Sequence, residues 1–235
     1  MSEIEKESLS LIGNADKYNL WIFKEMKPFL KSPVLEVGCG IGTITELILK
    51  NYQVTSTDLD KKYIESLKKK FKNRKYFKGA YVLNLSQPLK VRKKFNTIVC
   101  TNVLHHIKSD NKAIINIFNL LNDGGILFIQ EPAHKSLFGT LDNFQNHYRR
   151  YQKNELTKKL EILGFMILKA NYFNKLGAVG WFINSKLLNR KEMPKNQLSI
   201  FNKLVPMINI LDKLIPKIFG LSVIIVASKP YGRKN

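Results

Sequence analysis

The chain has 235 residues, 44% hydrophobic and 24% charged, with 39 Lys plus Arg against 18 Asp plus Glu for a formal net charge of +21. That balance excludes disordered, collagen-like and coiled-coil classes, and the length suits one α/β domain with an elaboration, or at most two small domains. Two cysteines, Cys39 and Cys100, each in an apolar strand-like context, give neither a disulfide framework nor a zinc site and point to a reducing compartment.

In chain order, residues 1–30 predict a helix, with Leu9, Ile12, Tyr18, Trp21, Ile22, Met26, Phe29 and Leu30 roughly at helical spacing and Pro28 and Pro33 near its end. Short apolar runs at 34–37, 54–57, 97–100 and 126–129 alternate with helical patterns near 43–50, 60–71 and 110–121, which implies βαβ units and a parallel sheet. Asn122-Asp-Gly-Gly is a turn signal leading into the fourth of these runs. An irregular stretch at 132–151 is followed by a helix at 153–163 ending at Gly164, a strand-like run at 165–173, a helical stretch at 174–220 and a last strand at 221–228. The pattern reads as one α/β domain over 1–235 with a doubly wound, Rossmann-like, mostly parallel sheet. Its parts are an N-terminal helical cover (1–30), the core (31–173 and 221–230) and a helical insertion before the last strand (174–220).

The acid-rich start, Met1-Ser-Glu-Ile-Glu-Lys-Glu, has the wrong chemistry for a secretory signal or transit peptide, and no apolar run approaches the roughly 18 residues that span a bilayer. A cytoplasmic protein is expected. The basic excess is 33 Lys and only 6 Arg, beside 22 Asn, a skew that reads as coding bias as much as a designed surface. Shortage of Arg, the residue that forks onto bases and phosphates, disfavours a nucleic-acid partner.

Chemistry concentrates first at Val34-Leu-Glu-Val-Gly-Cys-Gly-Ile-Gly-Thr. A buried strand runs into glycines 38, 40 and 42 and then a helix, so a ligand is able to lie against the backbone at the carboxyl edge of the sheet. Asp58, 20 residues past Gly38 at the end of the next strand, is placed to accept from two ribose hydroxyls. Thr43 stands where a dinucleotide fingerprint needs Gly or Ala, which disfavours NAD and FAD, and Glu36 suits a cationic ligand part better than a pyrophosphate.

With these residues, Leu35-Glu-Val-Gly-Cys-Gly-Ile-Gly resembles the first motif of the class I S-adenosylmethionine-dependent methyltransferases. Phe95-Asn-Thr-Ile-Val-Cys-Thr-Asn-Val-Leu-His-His-Ile resembles their fourth-strand segment and Leu120-Leu-Asn-Asp-Gly-Gly-Ile-Leu the turn before their fifth strand. The chain is most similar to the small bacterial type 11 and type 12 domain groups. The resemblance implies S-adenosyl-L-methionine as cofactor, with Glu36, Gly38, Cys39, Gly40 and Gly42 around its methionine portion, Asp58 on its ribose, and Asn84 and Asn102 completing the site. Asn84 replaces the usual Asp, and Asn96 replaces the Asp of the usual Phe-Asp and reads as a surface turn residue. Thr101-Asn-Val-Leu stands where the Asn/Asp-Pro-Pro-Tyr/Phe sequence of amino-group methylation would be, which further disfavours nucleic-acid N-methylation.

For the acceptor, His106, His147 and Tyr148 are the candidate catalytic residues. Tyr18, His105, Glu131, His134, Arg149, Arg150 and Tyr151 are candidate substrate contacts, the two arginines as a fork for a phosphate or carboxylate, and Tyr18 and Trp21 as aromatic faces over the donor. No metal site is expected. The resulting expectation is methyl transfer to a small or lipid- or glycan-linked acceptor with an anionic group, O-methylation being favoured over N-methylation. RNA methylation and a non-catalytic interaction subunit of the same fold are the alternatives. The 174–220 stretch, apolar but carrying Lys203, Lys213 and Lys217 and interrupted by Pro206 and Pro216, is expected to act as a lid, a peripheral contact at the inner membrane surface, or a homodimer face.

Overall fold

The computed structural model describes residues 11, 13–89, 93–216 and 218–232. The start of the expected N-terminal helix, with Leu9 and Ile12, and Lys217 lie outside the described residues. Among those described, seven strands form one sheet in the order β3-β2-β1-β4-β5-β7-β6. These are β1 (Val34–Val37), β2 (Val54–Asp58), β3 (Phe77–Val82), β4 (Phe95–Thr101), β5 (Leu121–Pro132), β6 (Met166–Phe173) and β7 (Ser222–Ser228). The first five pair in parallel, and β7 runs antiparallel between β5 and β6. β1 is buried along its whole length because helices cover both faces of the sheet, which is why it reads as a continuous apolar run broken only by Glu36.

The crossover helices α2 (Thr43–Ile48), α3 (Lys61–Phe71) and α4 (Asp110–Leu120) fall where the helical spacing predicts them. α3 shows the logic plainly: Ile64, Leu67 and Phe71 are buried at i, i+3 and i+7, while its lysines face solvent. Asp60 caps its first turn by accepting from the Lys62 amide at 2.8 Å. α6 (Lys153–Ile162) ends as expected at Gly164, whose φ of +95° is the left-handed C-terminal conformation.

Three features depart from the sequence expectations. β3 was not expected, because as an edge strand it buries only Ala80 fully and carries Lys78 and a left-handed Gly79. The Asn122-Asp-Gly-Gly turn is absorbed into the start of β5, with Gly124 at φ +72° and a register shift against β4. Pro206 does not interrupt the insertion; it lies inside α8 (Lys195–Leu214), and the helix stops where Ile215 turns extended before Pro216.

The insertion is a helical hairpin of α7 (Lys175–Phe182), a π turn (Ile183–Leu187) and α8. Buried Lys175 and Asp212 pin it at the base, with Nζ 3.1 Å from a carboxylate oxygen and the Lys175 amide donating to the other at 2.7 Å. α8 also supports α1 (Asp16–Met26), whose own cap residue is Ala15. Asn202 Oδ1 accepts from the amides of Lys17 and Tyr18 at 3.1 Å each, supplying the missing cap from a distant helix. No described helix is long and apolar enough to cross a membrane.

Candidate functional site

The carboxyl ends of β1, β2, β4 and β5, where the strand order reverses, open onto a cavity of about 850 Å³. One end is the glycine turn. Gly38, Gly40 and Gly42 have φ of +70°, +49° and +84°, which L side chains rarely adopt. A Cβ on Gly38 would sit 2.3 Å from Val103 Cγ2, so backbone alone fits there. Gly42 differs from expectation: it does not line the cavity but lets α2 close against Leu67 and Phe71, where a Cβ would meet atoms at 3.2 and 3.0 Å.

Asp58 accepts from the Gly40 amide at 2.8 Å through one oxygen and from the Asp60 amide at 3.0 Å through the other, which shapes the turn and still leaves each oxygen acceptor capacity. Glu36 lines the cavity yet is buried, and its Oε2 accepts from Ser56 Oγ at 3.0 Å and from Thr45 Oγ1. Burial pushes its pKa up to about 7 against the pull of those two hydroxyls. Cys39 lies beside it; burial and the charges of Glu36 and Asp58 drive its thiol pKa upward, so it stays protonated. Asn84 and the left-handed Asn102 reach the same cavity, Asn84 with its Oδ1 accepting from the Ser86 amide. A turn closed to a Cβ at Gly38, an acid with spare acceptor sites and a volume large enough for a nucleoside-sized ligand beside a small second molecule fit an S-adenosylmethionine site. Asn96 is not the surface turn residue expected: it lies half-buried in β4, donating to Ser32 O at 2.6 Å and accepting from Asn122 at 2.7 Å.

The other end is built from histidines. The His105 and His106 rings lie 4.1 Å apart, and His147, from the loop after the short helix α5 (Thr140–Phe144), sits 4.2 Å from His105 and 5.0 Å from His106. His105 Nδ1 is 2.6 Å from Glu131 Oε2, and Glu131 also accepts from the backbone amides of residues 103, 104 and 105. Burial holds His105 well below its ordinary pKa, with the facing imidazoles and Arg150 acting in the same direction, so its ring is neutral. Burial also raises Glu131 to about 8, while the three amides pull it down.

Asp142, at the base of the His147 loop, carries no motif that would have singled it out. It is fully buried and accepts from His147 Nδ1 at 2.8 Å, Arg150 Nε at 2.7 Å and the Gly139 amide at 3.0 Å. Burial alone would raise its pKa, but the His147 hydrogen bond and the Arg150 charge hold it below the usual carboxylate value. Asp142 is thus ionised and accepts the His147 Nδ1–H, which fixes the orientation of that ring. The exposed Tyr148 lines the cavity, and its amide donates to His105 O at 2.9 Å, tying the two histidine segments together. Trp181 of α7, another residue the sequence did not single out, supplies a wall.

Several expected acceptor contacts are corrected. Arg149 pairs with Asp110 at 2.9 Å and donates to Lys108 O, away from the cavity. Arg150 lines the cavity but is bound to Asp142 and Ala133 O, with its guanidinium 4.6 Å from the Trp181 ring centre, so the two arginines form no anion fork. Tyr151 is buried and donates to Asp110 at 2.8 Å. His134 stacks on Tyr172 and accepts from the Gly220 amide. Glu131 stands behind His105 rather than on the cavity wall, and Trp21 packs 4.2 Å from Phe173 in the core. Tyr18 does line the cavity, beside Gln130.

Residues 35–127 match a family model described as a methyltransferase domain. Probable polyketide synthase 41 of Dictyostelium discoideum is 33% identical over 144 residues, which is 50% of this chain and 6% of that protein, so the chain spans only about a twentieth of the length of such curated relatives. An S-adenosylmethionine-dependent methyltransferase from Clostridium acetobutylicum superposes with a TM-score of 0.59 at 15% identity, covering 92% of each chain. Phosphoethanolamine N-methyltransferase 2 of Haemonchus contortus, solved with S-adenosyl-L-methionine, gives 0.62 at 18% identity over 91% of this chain and 52% of that one. At such identities the two structures speak for the fold, and the family model speaks for the domain. Together with the glycine turn, residues 35–127 are similar to a methyltransferase domain, and they are carried on the fold of the S-adenosylmethionine-dependent methyltransferases.

Proposed function

We propose that the protein methylates a hydroxyl group on a small or lipid- or glycan-linked acceptor held between the glycine turn and the histidine cluster. The observation that supports this is the sharing of one cavity by Gly38, Gly40 and Asp58 at one end and by His105, His106 and His147 at the other. When bound, the donor supplies an electrophilic methyl group on a sulfonium centre. The chain's part is to fix the donor along the glycine turn, to exclude water with Tyr18 and Trp181, and to activate the acceptor at the imidazoles. Carboxylate-backed imidazoles favour O-methylation, because a hydroxyl must lose its proton whereas a neutral amine arrives with its lone pair free. With Arg149 and Arg150 engaged elsewhere, an anionic group on the acceptor is met by Lys108 at the cavity rim.

The lipid-linked class is supported by the outer face of the insertion. Ile200, Leu204, Met207, Leu211 and Leu214 form an exposed stripe on α8, on a different face from the buried Val205 and Ile208, and Leu187 and Ile218 are exposed in the same insertion. Leu214 is 76% exposed and Ile218 72%. Lys186, Lys191, Lys203 and Lys213 are exposed in the same segment, while Asp212 is buried against Lys175. An apolar stripe flanked by lysines suits an anionic lipid surface, and Trp181 links that segment to the cavity wall.

A second reading follows from the match to probable polyketide synthase 41: an acceptor of the polyketide class, whose nucleophile is an enol oxygen or the adjacent carbon. Labelled-methyl transfer onto extracts separated into lipid, glycan, small-molecule and RNA pools tests these readings, with the methylated atom identified by NMR. Label in an O-methyl group of a lipid, glycan or small molecule supports the first proposal and a C-methyl product the second. Salt-sensitive labelling of RNA overturns both, and donor binding with no labelled pool favours a non-catalytic subunit.

A further inference from the structure

We infer that His105, His106 and His147 form the binding site of one divalent transition-metal ion of the zinc class, with an open coordination position facing the cavity. Four histidines occur in the whole sequence, and three of them meet here. One ring nitrogen from each lies within 4.8 Å of the other two. Tetrahedral zinc with bonds of about 2.0–2.1 Å needs nitrogens roughly 3.4 Å apart, so inward rotations of about 1 Å close the set. His106 is the exposed ring of the three.

The surroundings are those of a metal site. A ligating imidazole usually donates its second N–H to a carboxylate, which fixes the ring and makes the ligating nitrogen a better donor. Here His147 donates Nδ1–H to Asp142 at 2.8 Å, and His105 Nδ1 lies 2.6 Å from Glu131, so a proton on Nδ1 leaves Nε2 of each ring as the ligand. Both carboxylates are themselves anchored, Asp142 by Arg150 and the Gly139 amide, and Glu131 by three consecutive amides. Three nitrogen ligands and an open cavity match a catalytic rather than a structural zinc geometry. The fourth position would take an acceptor oxygen. That role rests on the acceptor reading above, whereas binding of the ion does not.

The test uses the full chain without a histidine tag, stripped with chelator and titrated with Zn²⁺ by calorimetry, then with Co²⁺ followed by its visible absorption. One ion per chain is expected, with affinity falling at least tenfold in His106→Ala and in His147→Ala, and about tenfold in Asp142→Asn, the positioning acid. Circular dichroism verifies that His106→Ala, a surface change, stays folded. Absence of stoichiometric binding at micromolar Zn²⁺, or equal binding by wild type and His106→Ala, overturns the proposal. Donor affinity is measured on the same stripped protein. Donor binding without metal binding defeats the metal site alone, and metal binding without donor binding defeats the methyl-transfer reading alone.

Discussion

Substituting Gly38 by Ala probes the donor cradle at its tightest point. Two penalties follow from the geometry. At φ +70° an L residue costs about 1–2 kcal/mol. The new Cβ would also lie 2.3 Å from Val103 Cγ2, and overpacking of this kind costs about 1–3 kcal/mol. Val103 has little freedom to retreat, because Glu131 accepts from its amide at 3.0 Å. The sum, about 2–5 kcal/mol, corresponds to a fall of roughly 5–15 °C in Tm for a domain of this size. Urea unfolding measures the loss, and donor calorimetry should show weaker binding because Gly38 lines the cavity. A double-mutant cycle separates the two terms: on a Val103→Ala background the steric term disappears, giving a coupling of about 1–3 kcal/mol. Additive effects would refute the Gly38–Val103 contact, and unchanged stability of Gly38→Ala would refute the left-handed turn itself.

Asp58→Ala should weaken donor binding by about 1–3 kcal/mol, the range for a charge-assisted hydrogen bond, since it removes the ribose acceptor and frees the Gly40 amide; unchanged calorimetric affinity would take Asp58 out of the site. Burial raises the folded pKa of Glu36 to about 7 from an ordinary 4.5, so the native state holds more protons than the unfolded state between those values. Stability attributable to this group therefore falls as pH rises from about 4.5 to 7, by roughly 3 kcal/mol in all, and Glu36→Gln should flatten that part of the urea-unfolding profile. Leu214→Asp and Met207→Asp, both at exposed positions, should leave Tm within about 2 °C and reduce sedimentation with anionic vesicles at least tenfold. Equal sedimentation by wild type and variants would refute the lipid-facing stripe, and a concentration-dependent dimer lost in the same variants would assign the stripe to a second copy of the chain.

The alternation of strands and helices, the glycine turn and the acid at the end of the second strand are all legible in the order of residues. Each of these is written in neighbouring residues: apolar runs too short for a helix, glycines where only positive φ serves, and an acid one βαβ unit further on. β3 escaped notice because an edge strand needs few apolar residues, and the continuity of α8 through Pro206 escaped because tertiary support outweighs the lost hydrogen bond.

The acceptor end was decided by tertiary structure. His147–Tyr151 is a conspicuous cluster in sequence, yet folding divides it: His147 and Tyr148 face the cavity, Arg149 and Tyr151 turn to Asp110, and Arg150 turns to Asp142. No local pattern announces which buried acid an arginine will neutralise, because that depends on which loops the sheet edge brings together. The same holds for His147, 41 positions from His106 and 5.0 Å from it between ring centres. Spacing along the chain records only partners on one helix, strand or turn, whereas this cluster joins the loops after β4 and β5 at the point where the sheet reverses its strand order.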